Sequence, residues 1–427
     1  MPVALSSTYS ENISDDLSDA IAQTEFRSKA SLDLKTAEDF YEAARTLVPV
    51  LKTRVLQTEK LRRLPNANIN DLLDSGVLEM MRPKRFGGAE LDFHVMLKST
   101  SILAEGCPST AWVAAVYQSH IWMLSQLPLE GQNTVFGSGG PINSPGIFNG
   151  IGAKARPVDG GYMLSGDWTF GSGSPHSNWA MLGANIEGRV HNGVPESRLL
   201  TIPRHQFKVM DNWSVSGLRG TGSHGIKLTE EVFVPEHMTI VASEMMEGKA
   251  PGAAYHEGYN YRLPVLTAFN LLAAGPGIGI ARGAIEDFKA KLKTRVRAFT
   301  EEKSIDNPSA HIRLAIAETD LAAAELLLTH TILELEAATR AGTGASNDIE
   351  LRAKCRMVSG YVPKLCKKIV TDLVEASSAK VMFDGELLGR ALRDITMLSI
   401  HFTLDFDGGT QNYGRVLIGL DPSNPMI

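Results

Sequence analysis

The 427-residue chain is poor in cysteine: Cys107, Cys355 and Cys366 are the only three, and no CxxC pair occurs. An odd, widely spaced set argues against a disulfide framework or a thiolate zinc site and suits a reducing cytoplasm. Positive charge is also lacking. Forty-two Lys and Arg stand against 48 Asp and Glu, for a formal charge of −6, which leaves no basic face for nucleic acid or an anionic membrane. The N-terminal MPVALSSTYSENISDD has neither a basic region nor an apolar core, so it is not a secretion signal. The most apolar stretch, Leu266 to Ala281, is interrupted by Gly275, Pro276, Gly277 and Gly279 and reads as too short to span a bilayer. GPGIGIARG (275–283) does not keep the spacing of a dinucleotide fingerprint, and it opens a helical pattern with no strand before it. Small residues that let helices approach closely explain it better. GxSxG, GxxxxGK[ST] and HExxH are absent, and the eleven histidines do not cluster at metal spacings, so no metal is expected.

What is present changes texture twice. Residues 1–35 read as a mobile N-terminal tail. From Thr36, which like Asp33 is a candidate helix cap, apolar residues recur at helical spacing (Tyr41, Ala44, Leu47, Val48) as far as about Leu129. From Ser144 to Ile240 short alternating runs are split by DGG, HNG and GTGSHG, the chemistry of strands and turns. After Arg262 and Pro264 the helical period returns. Leu351, Cys355, Val358, Val362, Cys366, Ile369 and Leu373 trace one apolar stripe, and Ile312 to Ala341 is rich in Ala and Leu. The expectation is an α+β chain: a helical domain over 36–143, a β-barrel or sandwich over 144–242, and a helix bundle over 243–427.

One stretch asks for a ligand. TFGSGSPHSNWA (169–180) interleaves Gly171 and Gly173 with Ser172 and Ser174 among Trp168, Phe170 and Trp179. A plain turn needs one or two residues at positive φ. Hydroxyls and bare backbone between aromatics suit a flat molecule with hydrogen-bonding edges.

Taken in order, RPKRFGGAELDF (82–93), GDWTFGSGSPHSNWA (166–180), SGLRGTGSHGIKLTEEVFVPEH (216–237), LAAGPGIGIARGAIEDF (272–288) and LRDITMLSIHFTLDFDGGTQNYGR (392–415) resemble the acyl-CoA dehydrogenase superfamily. The likeness covers nearly all of the chain beyond residue 35. It implies an N-terminal helical domain, a middle β domain and a C-terminal four-helix bundle, assembled as a homotetramer with flavin where the three meet. Two departures narrow the branch. Dehydrogenases of this superfamily take the α-proton with a glutamate in an E-G-T run, where this chain has Gly408, Gly409 and Thr410, with Asp407 the nearest carboxylate. Their R-x-x-F-G stretch for the ADP half of FAD is not intact in TRVRAFTEEK (294–303). An acyl-CoA dehydrogenase-like FAD oxidoreductase is therefore the alternative reading. The F-x-S-G loop, the G-L-R-G-T-G-S run, the histidine of LSIHF and the closing YGR tail are more similar to the two-component flavin-dependent monooxygenases, typified by the oxygenase component of p-hydroxyphenylacetate hydroxylase.

That resemblance implies reduced flavin (FMNH2 or FADH2, loss of the R-x-x-F-G stretch leaning toward FMN) and O2. A separate NAD(P)H-flavin reductase would supply the flavin. A C4a-hydroperoxide would then hydroxylate a small phenolic or other electron-rich aromatic. Carried over residue by residue, Ser172 faces flavin N5, His401 lies near C4a, and His120 meets the substrate phenol with Ser144 as its companion. Apart from the resemblance, Trp112, Tyr117 and Trp122 around the same helix suit either the wall of a substrate pocket or ordinary core packing. Phe170, Gly173 and Ser174 contact the ring through side chain or backbone, Arg262 lies beside it, and Arg219, Thr221 and Ser223 reach its outer half. A neutral imidazole near its ordinary pKa of about 6.5 would take the phenolic proton. His176 and His224 read as structural or solvent-facing.

Overall fold

The computed structural model describes residues 34–191, 193–296, 303–342 and 347–423. The N-terminal tail (1–33) and residues 297–302 of the TRVRAFTEEK stretch lie outside the described residues. The first helix, α1 (Ala37–Thr53), starts where the sequence capped it. The Thr36 hydroxyl accepts from Asp39 N–H, and the Asp39 carboxylate accepts from Thr36 N–H at 2.8 Å. Helices α2 (Val55–Leu61), α3 (Asn66–Asp74), α4 (Phe93–Gly106), α5 (Pro108–Leu124) and α6 (Leu129–Phe136) follow. Every residue of α5 after Pro108 is buried. A helix apolar on all sides belongs in the middle of a protein, and α5 forms the axis of the site.

The β region begins at Gly146 and ends at Val241. Its strands are β1 (Gly146–Ile147), β2 (Lys154–Val158), β3 (Gly161–Ser165), β4 (Asp167–Trp168), β5 (Trp179–His191), β6 (Val194–Pro203), β7 (Lys208–Val209), β8 (Ile226–Lys227), β9 (Val232–Pro235) and β10 (Thr239–Val241). Seven form one sheet in the order β10-β6-β5-β2-β3-β9, with β1 parallel to β5. The long hairpin β5–β6 pairs Leu182 with Leu200 and Ala180 with Ile202, all four buried, so its register is set by a core-facing row. A small second sheet, β4-β8-β7, carries the Ser172 loop away from Trp168.

After the short α7 (Ala242–Met246) come α8 (Val265–Thr294), α9 (Pro308–Arg340), α10 (Ile349–Glu375), α11 (Leu387–Ser399) and α12 (Phe406–Leu417). The seven-residue stripe read along α10 is buried throughout. The 275–283 stretch corrects the sequence reading. It does not interrupt the apolar run but lies inside one uninterrupted 30-residue helix, α8. That helix is long and apolar enough to cross a membrane, yet 94% of its most apolar window is buried inside the chain. The glycines serve close crossing: a Cβ on Gly279 would collide with Ser101 O, and one on Gly275 would lie 3.0 Å from Leu97 O, both carbonyls on α4.

Candidate active site

The site is built along α5. Near its N-terminal end the Trp112 indole N–H donates to the Ser172 hydroxyl at 3.0 Å, and the Trp112 ring meets the His401 ring edge-on at 4.9 Å. Three candidates separated by up to 289 positions in sequence thus converge around one indole. One turn further, the Tyr117 hydroxyl donates to Gly173 O at 2.6 Å. Trp112 and Tyr117 therefore hold the Ser172 loop, rather than walling a pocket around His120.

The loop is closed by a second loop, 218–224. Gly171 N–H donates to His224 O at 3.1 Å, and Gly173 N–H to Thr221 O at 2.9 Å. Gly173 sits at φ +77°, and a Cβ there would lie 2.6 Å from the Tyr117 hydroxyl, so both the backbone and the close approach require glycine. The backbone contacts expected of Gly173 and Ser174 are committed inside the protein. Gly173 O accepts from Tyr117 and from His176 N–H, and Ser174 N–H donates to Gly171 O. Phe170 is strained at φ +67° and exposed, its ring edge-on to Trp213 at 5.9 Å. A bulky residue held in the left-handed region stores backbone strain beside the bonded loop.

Hydroxyls run inward from Ser172. Its oxygen lies 2.8 Å from Ser223 Oγ, which lies 2.7 Å from Thr221 Oγ1, which donates to Leu218 O at 2.9 Å. Thr221 and Ser223 are both buried, so they back Ser172 and do not themselves form the surface. Leu218, at φ +50°, is pinned by its N–H to the buried Asp394 carboxyl at 2.6 Å. Burial holds that carboxyl up at about 7. Arg219 is half-buried beside this chain and makes no hydrogen bond or ion pair among the described residues.

His401 is not inside a helix. It sits between α11 and a short 3-10 turn, where its Nδ1 lies 2.8 Å from Thr403 Oγ1 and accepts from Thr403 N–H at 3.4 Å. That assigns the ring proton to Nε2, which is left as a donor. Burial, and then the nearby Arg356 charge, push His401 down to about 4, so it is neutral at physiological pH.

His120 occupies the far half of α5, about 12 Å of helix rise from Trp112. It is fully buried. Its Nδ1–H donates to Ser144 O at 2.7 Å, held in place by the parallel β1–β5 pairing just beyond. The Ser144 hydroxyl instead bonds Pro145 O at 3.1 Å, so Ser144 serves His120 through its carbonyl. With its proton on Nδ1, the ring has a lone pair on Nε2, and that buried atom has no hydrogen-bond partner. The imidazole is pushed down to about 4 by burial, well below the value near 6.5 read from sequence. Phe148 and Phe269 surround it, with ring centroids 5.8 and 6.0 Å away and 5.9 Å from each other.

Those two phenylalanines also line an apolar cavity of about 230 Å³. Met123, Leu199, Met245 and Leu266 form more of its wall. Sequence reading missed Phe148 and Phe269, because a phenylalanine just after a two-residue strand and one in an apolar helix carry no motif. Arg262 is exposed and stands near Asn260, whose carbonyl binds the Trp122 indole at 3.1 Å. Within one chain it is not brought to the Ser172 loop. His176 and His224 are both buried. His176 Nε2–H donates to Leu64 O at 2.8 Å, and His224 Nδ1 accepts from Asn212 and Trp213 N–H at 3.2 Å. Both are structural, and neither faces solvent. Asp407 is exposed in the first turn of α12.

A loop with an accepting hydroxyl, an exposed aromatic and an unpaired guanidinium beside it fits the edge of a flavin ring and its anionic tail. Helices before a β region and a helix bundle after it complete a flavoenzyme of the acyl-CoA dehydrogenase plan. Residues 271–406 match the family model described as acyl-CoA dehydrogenase, C-terminal domain. The chain is 30% identical over 383 residues to the flavin-dependent monooxygenase oxygenase subunit HsaA of Rhodococcus jostii, covering 89% of this chain and 98% of that one. The 3-HSA hydroxylase structure from Rhodococcus sp. RHA1 superposes with a TM-score of 0.84 at 29% identity, over 91% of this chain and 99% of that one. XiaF from Streptomyces sp., solved with FADH2 and glycerol, gives 0.83 at 26% identity, over 92% and 98%. The chain belongs to the oxygenase components of the flavin-dependent two-component monooxygenases.

Proposed function

We propose that this oxygenase takes reduced flavin from a separate NAD(P)H-dependent reductase and hydroxylates a phenolic or other electron-rich aromatic ring. When bound, reduced flavin supplies two electrons to dioxygen, so that one oxygen atom goes to the ring and the other leaves as water. The observation that carries the substrate class is His120 Nε2, a lone pair buried among aromatic rings with no partner in the chain. Such an atom costs about 1–3 kcal/mol to leave unpaired, and a phenolic O–H answers it. Phe148 meets the imidazole edge-on and Phe269 stacks against it, and the adjoining cavity takes the apolar remainder of the substrate. Ser172 would hold reduced flavin by accepting a hydrogen bond at its N5 edge, and the His401 Nε2–H, on a ring anchored to Thr403 through Nδ1, would be a donor beside it. Phe170 flanks the ring, and Arg219 pairs with the anionic outer half.

Assembly as a homotetramer in the cytoplasm is part of the same reading. Ile400 and Phe402, which flank His401, are 69% and 55% exposed, and Leu417, Ile418 and Leu420 near the end of the last helix are exposed as well. A second copy over that face would complete the site and give Arg262 a route to flavin. The division at residues 143 and 242 into three folding units belongs to the same proposal. The test compares two electron sources. Chemically reduced flavin, oxygen and a phenol should give hydroxylated product, while acyl-CoA thioesters mixed anaerobically with protein and oxidised flavin should leave its absorbance unbleached. Bleaching by a thioester would return the chain to dehydrogenase chemistry.

A further inference from the structure

The hydroxyl chain behind Ser172 has a direction, and the direction follows from its two ends. At one end the Trp112 indole N–H can only donate; at the other the Leu218 carbonyl can only accept. Between them stand three hydroxyls, each with one proton to give. The proton of Thr221 goes to Leu218 O. The bond between Thr221 and Ser223, 2.7 Å, must then use the proton of Ser223. The bond between Ser223 and Ser172, 2.8 Å, must likewise use the proton of Ser172. Four bonds take four protons, and none is left over. Ser172 has given its proton inward, receives one from Trp112, and keeps a single lone pair to offer a ligand.

We propose that Thr221 and Ser223 are positioning residues which fix Ser172 as a hydrogen-bond acceptor, so that the loop selects flavin carrying a proton on the contacted nitrogen over flavin that lacks it. The proposal rests on the reading of Ser172 as the flavin N5 contact. Reduced flavin bears N5–H and satisfies the free lone pair. Oxidised flavin has a lone pair at N5, and the two lone pairs would face each other. For Ser172 to donate outward the relay must reverse: Thr221 gives its proton to Ser223, Ser223 gives its proton to Ser172, and the bond from Thr221 to Leu218 O is lost. Leu218 O keeps the Thr221 N–H at 3.1 Å, so the reversal costs about one net hydrogen bond. That is roughly a fivefold bias toward the reduced form. The relay is held in register from outside. Gly217 packs so closely on α11 that a Cβ would collide with Arg393 O, and the next residue, Leu218, is tied to Asp394.

Dissociation constants of oxidised and dithionite-reduced FMN and FAD, measured anaerobically on the full-length protein, test this without turnover. Thr221→Val removes the end of the relay and keeps the side-chain shape; Ser223→Ala removes its middle. Both should lower the ratio of oxidised to reduced dissociation constants by about fivefold, chiefly by tightening oxidised flavin. Thr221→Ser retains the hydroxyl and should keep the wild-type ratio. Thermal melts confirm that each variant is folded. Folded variants with an unchanged ratio, or with both redox forms weakened equally, would overturn the relay while leaving flavin binding intact. A wild-type protein that bound neither flavin in either state would overturn the flavin reading, and the relay with it.

Discussion

Replacing His120 by Leu removes the buried, unpartnered acceptor nitrogen that lies beside Phe148 and Phe269. The structure also decides how that acceptor works. Burial holds the imidazole at about 4, whereas a phenol ionises near 10. Full proton transfer before ring attack would then run uphill by about six pKa units, or about 8 kcal/mol. That is roughly half of the ~16 kcal/mol barrier of an enzyme turning over about ten times a second. On the proposed reading, His120 would therefore act as a neutral acceptor that orients the O–H, with the proton moving only as the ring becomes electron-deficient. Losing this acceptor should cost about 1–3 kcal/mol, roughly 5- to 150-fold in single-turnover product formation. The methyl ether of the same substrate has no proton to give, so wild type should already discriminate against it by a similar factor. His120→Leu should erase that discrimination, while His120→Gln, which keeps an acceptor oxygen, should retain part of it. Product quantified after a single turnover, from pH 5 to 9, provides the readout. A kinetic pKa between 6 and 7 in wild type that vanishes in His120→Gln would refute the reasoning, since it would show His120 titrating as an ordinary base.

Ser172→Ala should still bind reduced flavin but lose oxygen as hydrogen peroxide several-fold faster and couple poorly to product, because the N5 proton is no longer held; a peroxide assay beside product analysis shows it, and full coupling would reduce Ser172 to a turn residue. Gly173→Ala must place a side chain at φ +77° against the Tyr117 hydroxyl. It should lower the melting temperature by several degrees, for about 1–2 kcal/mol of backbone strain plus the displaced tyrosine bond. Acid should destabilise the fold between about pH 6.5 and 4. His120, His176 and His224 are buried and pushed down to about 4, so the unfolded chain takes up their protons first, and the stability present above pH 6.5 is lost as pH falls. Asp394, raised to about 7, opposes them: its contribution is complete at low pH and is lost as pH rises toward 7. Asp394→Asn should therefore steepen the acid slope by up to about 1.4 kcal/mol per pH unit, read from denaturant midpoints across that range.

The order of helices, strands and bundle was legible because each texture has its own period, as in the α10 stripe and the β5–β6 hairpin. So was the loop around Ser172, where glycines and hydroxyls alternate against the needs of a simple turn. The contacts between elements were not legible. Trp112 and Tyr117 lie on the same helix as His120, and only the fold shows that they bond the 170–174 loop through their polar edges. The protonation of His120 was misread for a similar reason: a pKa belongs to a cavity, and Phe148 and Phe269 come from distant elements. The Gly275–Gly279 stretch was read correctly as a place of close helix approach and wrongly as a break. Glycine weakens a helix by only about 1 kcal/mol relative to alanine, and tight packing on α4 outweighs that.

The cavity beside His120 draws its wall from β6, α7 and the start of α8, whereas the proposed flavin contacts lie on the 170–174 and 218–224 loops. The two halves share the rigid α5 and little else. On the proposed reading, changes at Leu199, Met245 or Met246 would reshape what the protein accepts without touching the hydroxyl relay around Ser172. A scaffold partitioned in this way can diverge toward new aromatic substrates by ordinary point mutation, each step leaving its oxidising half intact. For the engineer, it places the residues to randomise on one side of α5 and those to leave alone on the other.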